Sequence, residues 1–467
     1  MRKYENQVQQ IKSEVLSMVA KYAFEGSLED HIHGIPEAIT PGPNNRFRCC
    51  IYHERAITKD RIQMICGGNP DNDNIVEVID AACDQCSMDR FIVTDTCRGC
   101  LAHHCENACP ADAITFTQTK AFIDRDKCIE CGRCLKACPY SAIIDVQRPC
   151  RRSCPTGALT INENKMAVID NDLCIQCGAC VYSCPFGALQ EKSSLLHVID
   201  LLKSSQPVYA IIAPAFATQF DYVPLGKVVS ALKTMGFKDV VEVALGADFV
   251  IEHESQALLA QDTPMTSSCC PGFVAYIKQE YPELVDLISH IVSPMVATGR
   301  LIKSIDPQAR VVFVGPCIGK KEEAKNYPED VDFVLTFEEL AAMIEAKAIN
   351  LEALETAPLN NASYYGRKLA KTGGLSEGIQ AVLGDSRKTI VQADGIKACD
   401  RLLKKMKFTG QGFDFLEGMA CEGGCIRGPV TMHYGNQDQK AINNYAIEAK
   451  EKKSSAAAEV FPPIKMS

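Results

Sequence analysis

Met265-Thr266-Ser267-Ser268-Cys269-Cys270-Pro271-Gly272-Phe273 places two adjacent thiols after a short apolar, β-prone lead-in and ahead of a helix-like run. Proline at the first helical position is pre-set for a helix start, because its ring fixes φ and the N–H it lacks would have no partner there. The stretch therefore reads as a strand-to-helix corner, where free backbone N–H groups favour anions such as thiolates. Two later cysteine stretches, Gly315-Pro316-Cys317 and Cys421-Glu422-Gly423-Gly424-Cys425, are expected to converge on this corner.

Around it runs a long alternation. Residues 208–212, 240–243, 310–314 and 333–335 have strand composition, and 225–235, 247–259, 320–324 and 338–346 have helical spacing. Strands alternating with helices predict an α/β domain with parallel strands over 205–450. Upstream, 1–78 is expected as a helical and irregular segment. Val8, Ile11, Val15, Leu16 and Val19 give 5–24 a helical face suited to packing, and Gly26 ends it. The stretch 36–73 reads as irregular, with a turn at Asn69-Pro70-Asp71-Asn72-Asp73. A helix over 191–202 is expected to bridge into the α/β domain, and 451–467 reads as a frayed tail.

The chain has 467 residues, enough for two or three domains. Its net charge of −9 argues against a nucleic-acid partner. No apolar run approaches the ~18 residues of a membrane span. The first residues lack the apolar segment of a secretory signal, so a cytoplasmic protein without membrane association is expected. Nineteen of the 25 cysteines lie before residue 185. In a reducing compartment such a density means metal ligands or catalytic thiols rather than disulfides.

Cys128-x2-Cys131-x2-Cys134-x3-Cys138-Pro139 and Cys174-x2-Cys177-x2-Cys180-x3-Cys184-Pro185 match the bacterial ferredoxin run, in which the cysteine before proline reaches across to a second cubane. Zinc sites use paired knuckles instead. Two partial motifs accompany them: Cys97-x2-Cys100-x4-Cys105-x3-Cys109-Pro110 and Cys150-x3-Cys154-Pro155. Cys109 precedes Cys128 by 19 positions and Cys154 precedes Cys174 by 20, which predicts two ferredoxin-like α+β modules in sequence over 79–195. The crossed rule assigns one [4Fe–4S] cluster to Cys97, Cys100, Cys105 and Cys138. It assigns a second to Cys109, Cys128, Cys131 and Cys134, and a third to Cys154, Cys174, Cys177 and Cys180. Cys150 and Cys184 then need two more ligands. Cys83 and Cys86 can supply them, in competition with Cys49, Cys50 and Cys66, so three to four accessory clusters are expected. His103 and His104 are read as structural or surface histidines, the cysteines being sufficient.

Four further thiols, Cys270, Cys317, Cys421 and Cys425, recur at the ends of predicted elements. Four thiolates suit a cubane, although buried structural cysteines give the same pattern. A helical turn would set Cys421 and Cys425 on one side, with Gly423 and Gly424 leaving room for a cluster.

Thr266 to Phe273, then Pro316-Cys317-x2-Lys320-Lys321, then Glu417-Gly418-Met419-Ala420-Cys421-x3-Cys425-x2-Gly428 resemble the three signatures of [FeFe]-hydrogenases. Ala213-Pro214-Ala215 and Thr372-Gly373-Gly374 are also similar to that family, and the likeness covers roughly 80–430. The resemblance implies two parallel-sheet lobes around an H-cluster. In it Cys270, Cys317, Cys421 and Cys425 hold a [4Fe–4S] cubane, and Cys425 bridges to a two-iron subsite with CO, cyanide and azadithiolate. It further implies Ala213 and Pro214 at the cofactor, Lys320 on a cyanide, and Cys269 as proton donor with Glu254 and Ser289 continuing the relay. A thiol of near-neutral pKa would pass protons in both directions. The implied substrates are H2 and protons, with a ferredoxin-like electron carrier and maturation proteins that insert the two-iron subsite.

The sequence departs from the family pattern at several points. Gly315 replaces a methionine, Gly428-Pro429-Val430 replaces a glycine run, and Met295 stands where a glutamine is familiar. Ala257 and Gln261 replace an acid and a base of the proton route. These changes point to a divergent subgroup. The expected function is reversible interconversion of H2 with protons and electrons. The alternatives are a redox or H2 sensor and an iron–sulfur assembly relative carrying cubanes alone.

Overall fold

The computed structural model of the chain describes every residue except 1–3, 49, 85, 87–89, 410 and 411. In the N-terminal iron–sulfur region the strands are β1 (Val76–Val78), β2 (Phe91–Val93), β3 (Ile114–Phe116), β4 (Ala121–Ile123), β5 (Ile143–Asp145), β6 (Leu159–Ile161), β7 (Ala167–Ile169) and β8 (Leu189–Glu191). They pair antiparallel, β1 with β8, β2 with β5, β3 with β4 and β6 with β7.

This pairing is nested, which corrects the expectation of two modules in sequence. The inner module, β2 to β5, sits between β1 and β6 of the outer one. The outer module begins before the expected boundary at 79, and its cysteine series is interrupted after Cys86. Equivalence of the two modules extends to single hydrogen bonds. Cys83 Sγ accepts the N–H of Ala167, first residue of β7, at 3.4 Å, and Cys97 Sγ accepts that of Ala121, first residue of β4, at 3.5 Å. The Cys-Pro turns repeat as well: Asp112 and Gly157, then Ser141 and Gly187, all take positive φ three residues after their cysteine.

Seven strands form the remainder: β9 (Val208–Ile212), β10 (Asp239–Glu242), β11 (Met265–Thr266), β12 (Arg310–Gly315), β13 (Phe333–Thr336), β14 (Ile390–Asp394) and β15 (Phe415–Met419). They build two all-parallel sheets, ordered β10-β9-β12-β13 and β11-β15-β14. β9, β12 and β15 are nearly continuous apolar runs, as strands covered by helices on both faces must be. The fold is mixed α/β with an N-terminal iron–sulfur domain, as expected.

The helix Gln7–Glu25 buries Val15, Leu16, Val19 and Ala20 in the same core as Leu195, Phe337 and Leu340. Its Lys12 is buried too, with Nζ 2.6 Å from both Glu191 of β8 and Glu338 of the helix Phe337–Ala346. One ammonium thus ties the iron–sulfur region to the α/β region.

Two expectations are corrected here. Residues 36–73 are not irregular throughout, because Ile51–Ile65 is a helix. Its buried face includes Glu54, Thr58 and Arg61, polar residues that satisfy one another's surroundings and hide the apolar period from the sequence. The tail is not frayed. Ser454–Ala458 is helical, Ser454 Oγ donates to Glu252, and the Met466 carbonyl accepts the Val292 N–H at 2.7 Å. Alanines at 456–458 leave a face small enough to lie flat against the helix Val243–Ala260.

Glu242, at the end of β10, is buried and held by a two-pronged contact from Arg367 at 2.7 and 3.1 Å, with the Tyr445 hydroxyl donating to the same carboxylate. Arg367→Ala would leave that carboxylate buried without a cation, a change that typically costs ~3–5 kcal/mol. Denaturant unfolding of the variant should show a loss of that order; a loss under ~1 kcal/mol would mean the pair contributes little.

Candidate metal centre

The C-terminal ends of the parallel strands meet at one place. Ala213-Pro214-Ala215 follows β9, Cys317 follows β12, Cys270 follows β11, and Cys421 follows β15. Ligand sites of open parallel sheets form at such strand ends. Cys269, Cys270, Cys317, Cys421 and Cys425 all line one cavity there with Ala213, Pro214, Met295 and Lys320.

The corner at 265–273 is built as its sequence implies: β11, then Cys270 in extended conformation as N-cap, then the helix Pro271–Glu280 with proline in its first turn. Gly418 is obligatory opposite it, since a Cβ there would lie 2.2 Å from the Phe273 ring. The segment 421–425 is not the helical turn expected of it. Gly423 and Gly424 both take positive φ, and a Cβ on Gly424 would meet the Thr372 amide at 2.7 Å. Gly424 lets the loop press against Ala370–Thr372 and also lines the cavity of the cysteines. Asp394, at the end of β14, fixes the loop by accepting the N–H of Gly423 and the hydroxyl of Thr372, each at 2.8 Å. Glu417 of β15 accepts the N–H groups of Gly373 and Ser376 and the Ser376 hydroxyl. Sequence reading missed Asp394; the acid immediately before Gly395 at a strand end was its only signal.

Burial first, then the neighbouring Cys270, pushes the Cys317 thiol up to about 11. Cys421 and Cys425 are pushed far above the ordinary thiol range by burial and by the other thiols of the same four. A set of four sulfurs in apolar walls, whose thiolate forms would repel one another, fits a bound iron–sulfur cubane, whose metal charge would remove that repulsion.

Lys320 is buried, with Nζ 2.9 Å from Ser293 Oγ and 3.2 Å from the Cys269 carbonyl, and paired with Glu323. Burial opposes its charge, but Glu323 and the thiols outweigh that and raise its pKa. It is not a solvated helix lysine. Cys269 differs from the near-neutral thiol anticipated: burial, then the charges of Glu254 and Cys270, hold it well above the usual range and hence protonated. Glu254 is fully buried, and among the described residues neither carboxylate oxygen has a hydrogen-bond partner at ordinary geometry. Burial raises it to about 8, only partly offset by the nearby Ser289 hydroxyl and Ser268 amide. Ser289 and Ser268 also line an open groove carrying Asp286, His290, Glu322 and Glu323, which connects this corner to solvent.

Each accessory group of cysteines is likewise brought together. Cys97, Cys100, Cys105 and Cys138 line one small cavity with His104. Cys134 is raised by burial and by Cys128 and Cys109, while Cys131 is exposed in the same turn. Cys177, raised to about 12 by burial, and Cys180 both feel Cys174 and Cys154. Cys150, raised to about 11 by burial, feels Cys184, Cys86 and Cys83. Cys50 caps the start of the helix Ile51–Ile65 and Cys66 its end, and both are exposed; Cys49 lies outside the described residues. Cys399 is a buried thiol donating to the Ala393 and Met419 carbonyls. His103 stacks on Phe116 at 3.8 Å, a structural role. Contacts between groups give an order. Cys421 and Cys270 face Cys177, whose Cβ would lie 3.5 Å from a Cβ on Gly272, and Cys180 faces Cys150.

Residues 206–429 match the family model described as iron only hydrogenase large subunit, C-terminal domain. Residues 167–190 match a 4Fe-4S binding domain and 97–147 an LdpA Fe-S cluster-binding domain. Iron hydrogenase 1 of Clostridium pasteurianum is 28% identical over 389 residues, 70% of this chain and 67% of that protein. The probable cytosolic Fe-S cluster assembly factor oxy-4 of Caenorhabditis elegans is 24% identical over 329 residues, 56% of this chain and 71% of that protein. Among solved structures, the [FeFe]-hydrogenase HydA(deltaEFG) is similar over 57% of this chain and 92% of its own, at 20% identity and a TM-score of 0.45.

A carboxyl raised from 4.5 to about 8 stays neutral in the folded chain while the unfolded chain ionises, so it destabilises the fold progressively as pH rises through that window. Glu254→Gln, neutral at every pH, should unfold at a higher temperature than the parent at pH 8, with the difference vanishing below pH 4.5. Melting curves across that range check it; a difference independent of pH would place the effect elsewhere.

Proposed function

This chain is an [FeFe]-hydrogenase-like protein of divergent sequence, and we propose that it interconverts H2 with protons and electrons at the four-cysteine centre. The observation that carries this reading is a buried thiol, Cys269, beside those four cysteines with a buried carboxyl, Glu254, that has no ion-pair partner among the described residues. A cubane held by cysteines alone needs neither group.

In this reading Cys270, Cys317, Cys421 and Cys425 hold the cubane part of an H-cluster, with Ala213 and Pro214 walling a two-iron subsite carrying CO, cyanide and azadithiolate. That group, when bound, supplies the electron pair and the site at which H2 is split or formed. Cys269, protonated by burial, gives its proton into the cavity and is recharged from Glu254. Glu254 exchanges protons through Ser289 with the acid-lined groove. Lys320, fixed by Ser293 and Glu323, offers its ammonium to an anionic ligand in the cavity. Met295 and Phe313 keep bulk water away from the centre. Cys154, Cys174, Cys177 and Cys180 would hold the cubane next to the centre, and Cys83, Cys86, Cys150 and Cys184 the one beyond it. Such clusters, with those of the inner module, would supply one-electron exchange with a ferredoxin-like carrier. Maturation proteins load the two-iron subsite. A cytoplasmic location is supported by the similarity to a cytosolic Fe-S cluster assembly factor; among the described residues no helix is long and apolar enough to cross a membrane.

The similarity to an iron–sulfur assembly factor favours a second reading, in which the chain carries cubanes without a two-iron subsite and does not turn over H2. Infrared bands of metal-bound CO and cyanide in protein co-expressed with maturation factors are expected under the first reading; their absence selects the second. Cys269→Ala should keep its iron and lose H2 turnover by roughly two orders of magnitude or more, as removal of a positioned proton donor does. Unchanged turnover would take Cys269 out of the proton path.

A further inference from the structure

Arg148 is 8% exposed and has no carboxylate partner among the described residues. Its Nη2 donates to the Lys165 carbonyl at 2.7 Å, and its Nη1 points at Cys83 Sγ, 3.6 Å away. A buried guanidinium without a counter-ion is costly, so a negative charge is expected beside it. The candidates are Cys83, which it meets, Cys86, which feels its charge, and Cys150 and Cys184, which share their group.

Neighbouring charges sharpen this. Arg48 lies near the same group, donating to the Ala82 carbonyl at 3.5 Å and the Phe186 carbonyl at 3.1 Å, residues close in sequence to Cys83 and Cys184. Among the described residues its Nη1 has no hydrogen-bond partner, and the partly exposed Asp84 lies 3.7 Å away. Arg61 donates to the Gly187 carbonyl at 2.9 Å. Its charge is offset, because Glu191 and Glu338 share the single cation Lys12 behind it. Around the other accessory groups, Cys97, Cys109 and Cys138 accept backbone N–H groups, and Cys128 feels the charge of Arg90, but no other cysteine sulfur among the described residues accepts a hydrogen bond from an arginine.

Reducing a thiolate-bound cubane adds one negative charge to an already anionic group, and no bond or proton moves. Burial opposes that added charge, while a fixed cation favours it. Cys83, Cys150 and Cys184 are each less than a tenth exposed. We propose that Arg148, seconded by Arg48, is the fixed countercharge that keeps the cubane of Cys83, Cys86, Cys150 and Cys184 reducible alongside its neighbours, so that electrons can cross between inner module and catalytic centre. This rests on those four cysteines being ligands.

Anaerobic redox titration followed by electron paramagnetic resonance, with iron analysis, tests it on the full chain and on Arg148→Gln, Arg148→Lys and Cys150→Ser. In Arg148→Gln one midpoint should move to more negative potential, the others staying in place at full iron content, and Arg148→Lys should restore most of the shift. If the Gln variant loses one cluster's iron while the Lys variant keeps it, the requirement for positive charge is likewise supported. Unmoved midpoints at full iron content, a uniform shift of all midpoints, or loss of the cluster in both variants overturns the proposal. Unaltered iron content and unaltered signals in Cys150→Ser would instead show that the ligand assignment fails, and the proposal with it.

Discussion

Thiolates repel one another, and the chain gathers them where water cannot help. At the centre formed by Cys270, Cys317, Cys421 and Cys425, burial and mutual repulsion raise every thiol for which a shift is resolved. Without metal those thiols stay protonated, so the folded chain is built around sulfurs that become thiolates only when metal binds them. Much of the surrounding structure serves to hold those sulfurs at short range.

Two sheets cooperate in that task. β9 and β12 deliver Pro214 and Cys317 from one, β11 and β15 deliver Cys270 and Cys421 from the other, and both lobes present the same polarity of strand end. Carboxylates that carry no catalytic role, Glu417 and Asp394, act as acceptors for the loops that bring the second lobe's cysteines inward. Glycines at 418 and 424 let backbone approach where any side chain would collide.

The parallel strands and the helices between them were legible because each is a short run of one clear period; Val208–Ile212 and Leu225–Met235 are found where the pattern sets them. The cysteine groups were legible because a cubane dictates ligand spacing. The nesting of the ferredoxin modules was not, since local spacing cannot show that β1 and β8 pair across more than a hundred intervening residues. The helix Ile51–Ile65 was hidden by a polar buried face that only tertiary partners justify. At the site, Asp394 and the partners of Lys320 were invisible because they act through contacts distant in sequence, and the protonated state of Cys269 depends on a burial that composition does not report.

The nested module has a mechanical corollary. A domain appended at a terminus hangs from one strand of chain and can swing, but the inner module enters after Cys86 and leaves before Cys150, so it is moored at two points beside the same cysteine group. Electron tunnelling falls steeply with separation, and a two-point mooring holds that separation without needing a large packed interface. The insertion thus works as a bracket, in which the chain itself fixes the spacing of the inner module's cysteines from those of the outer module.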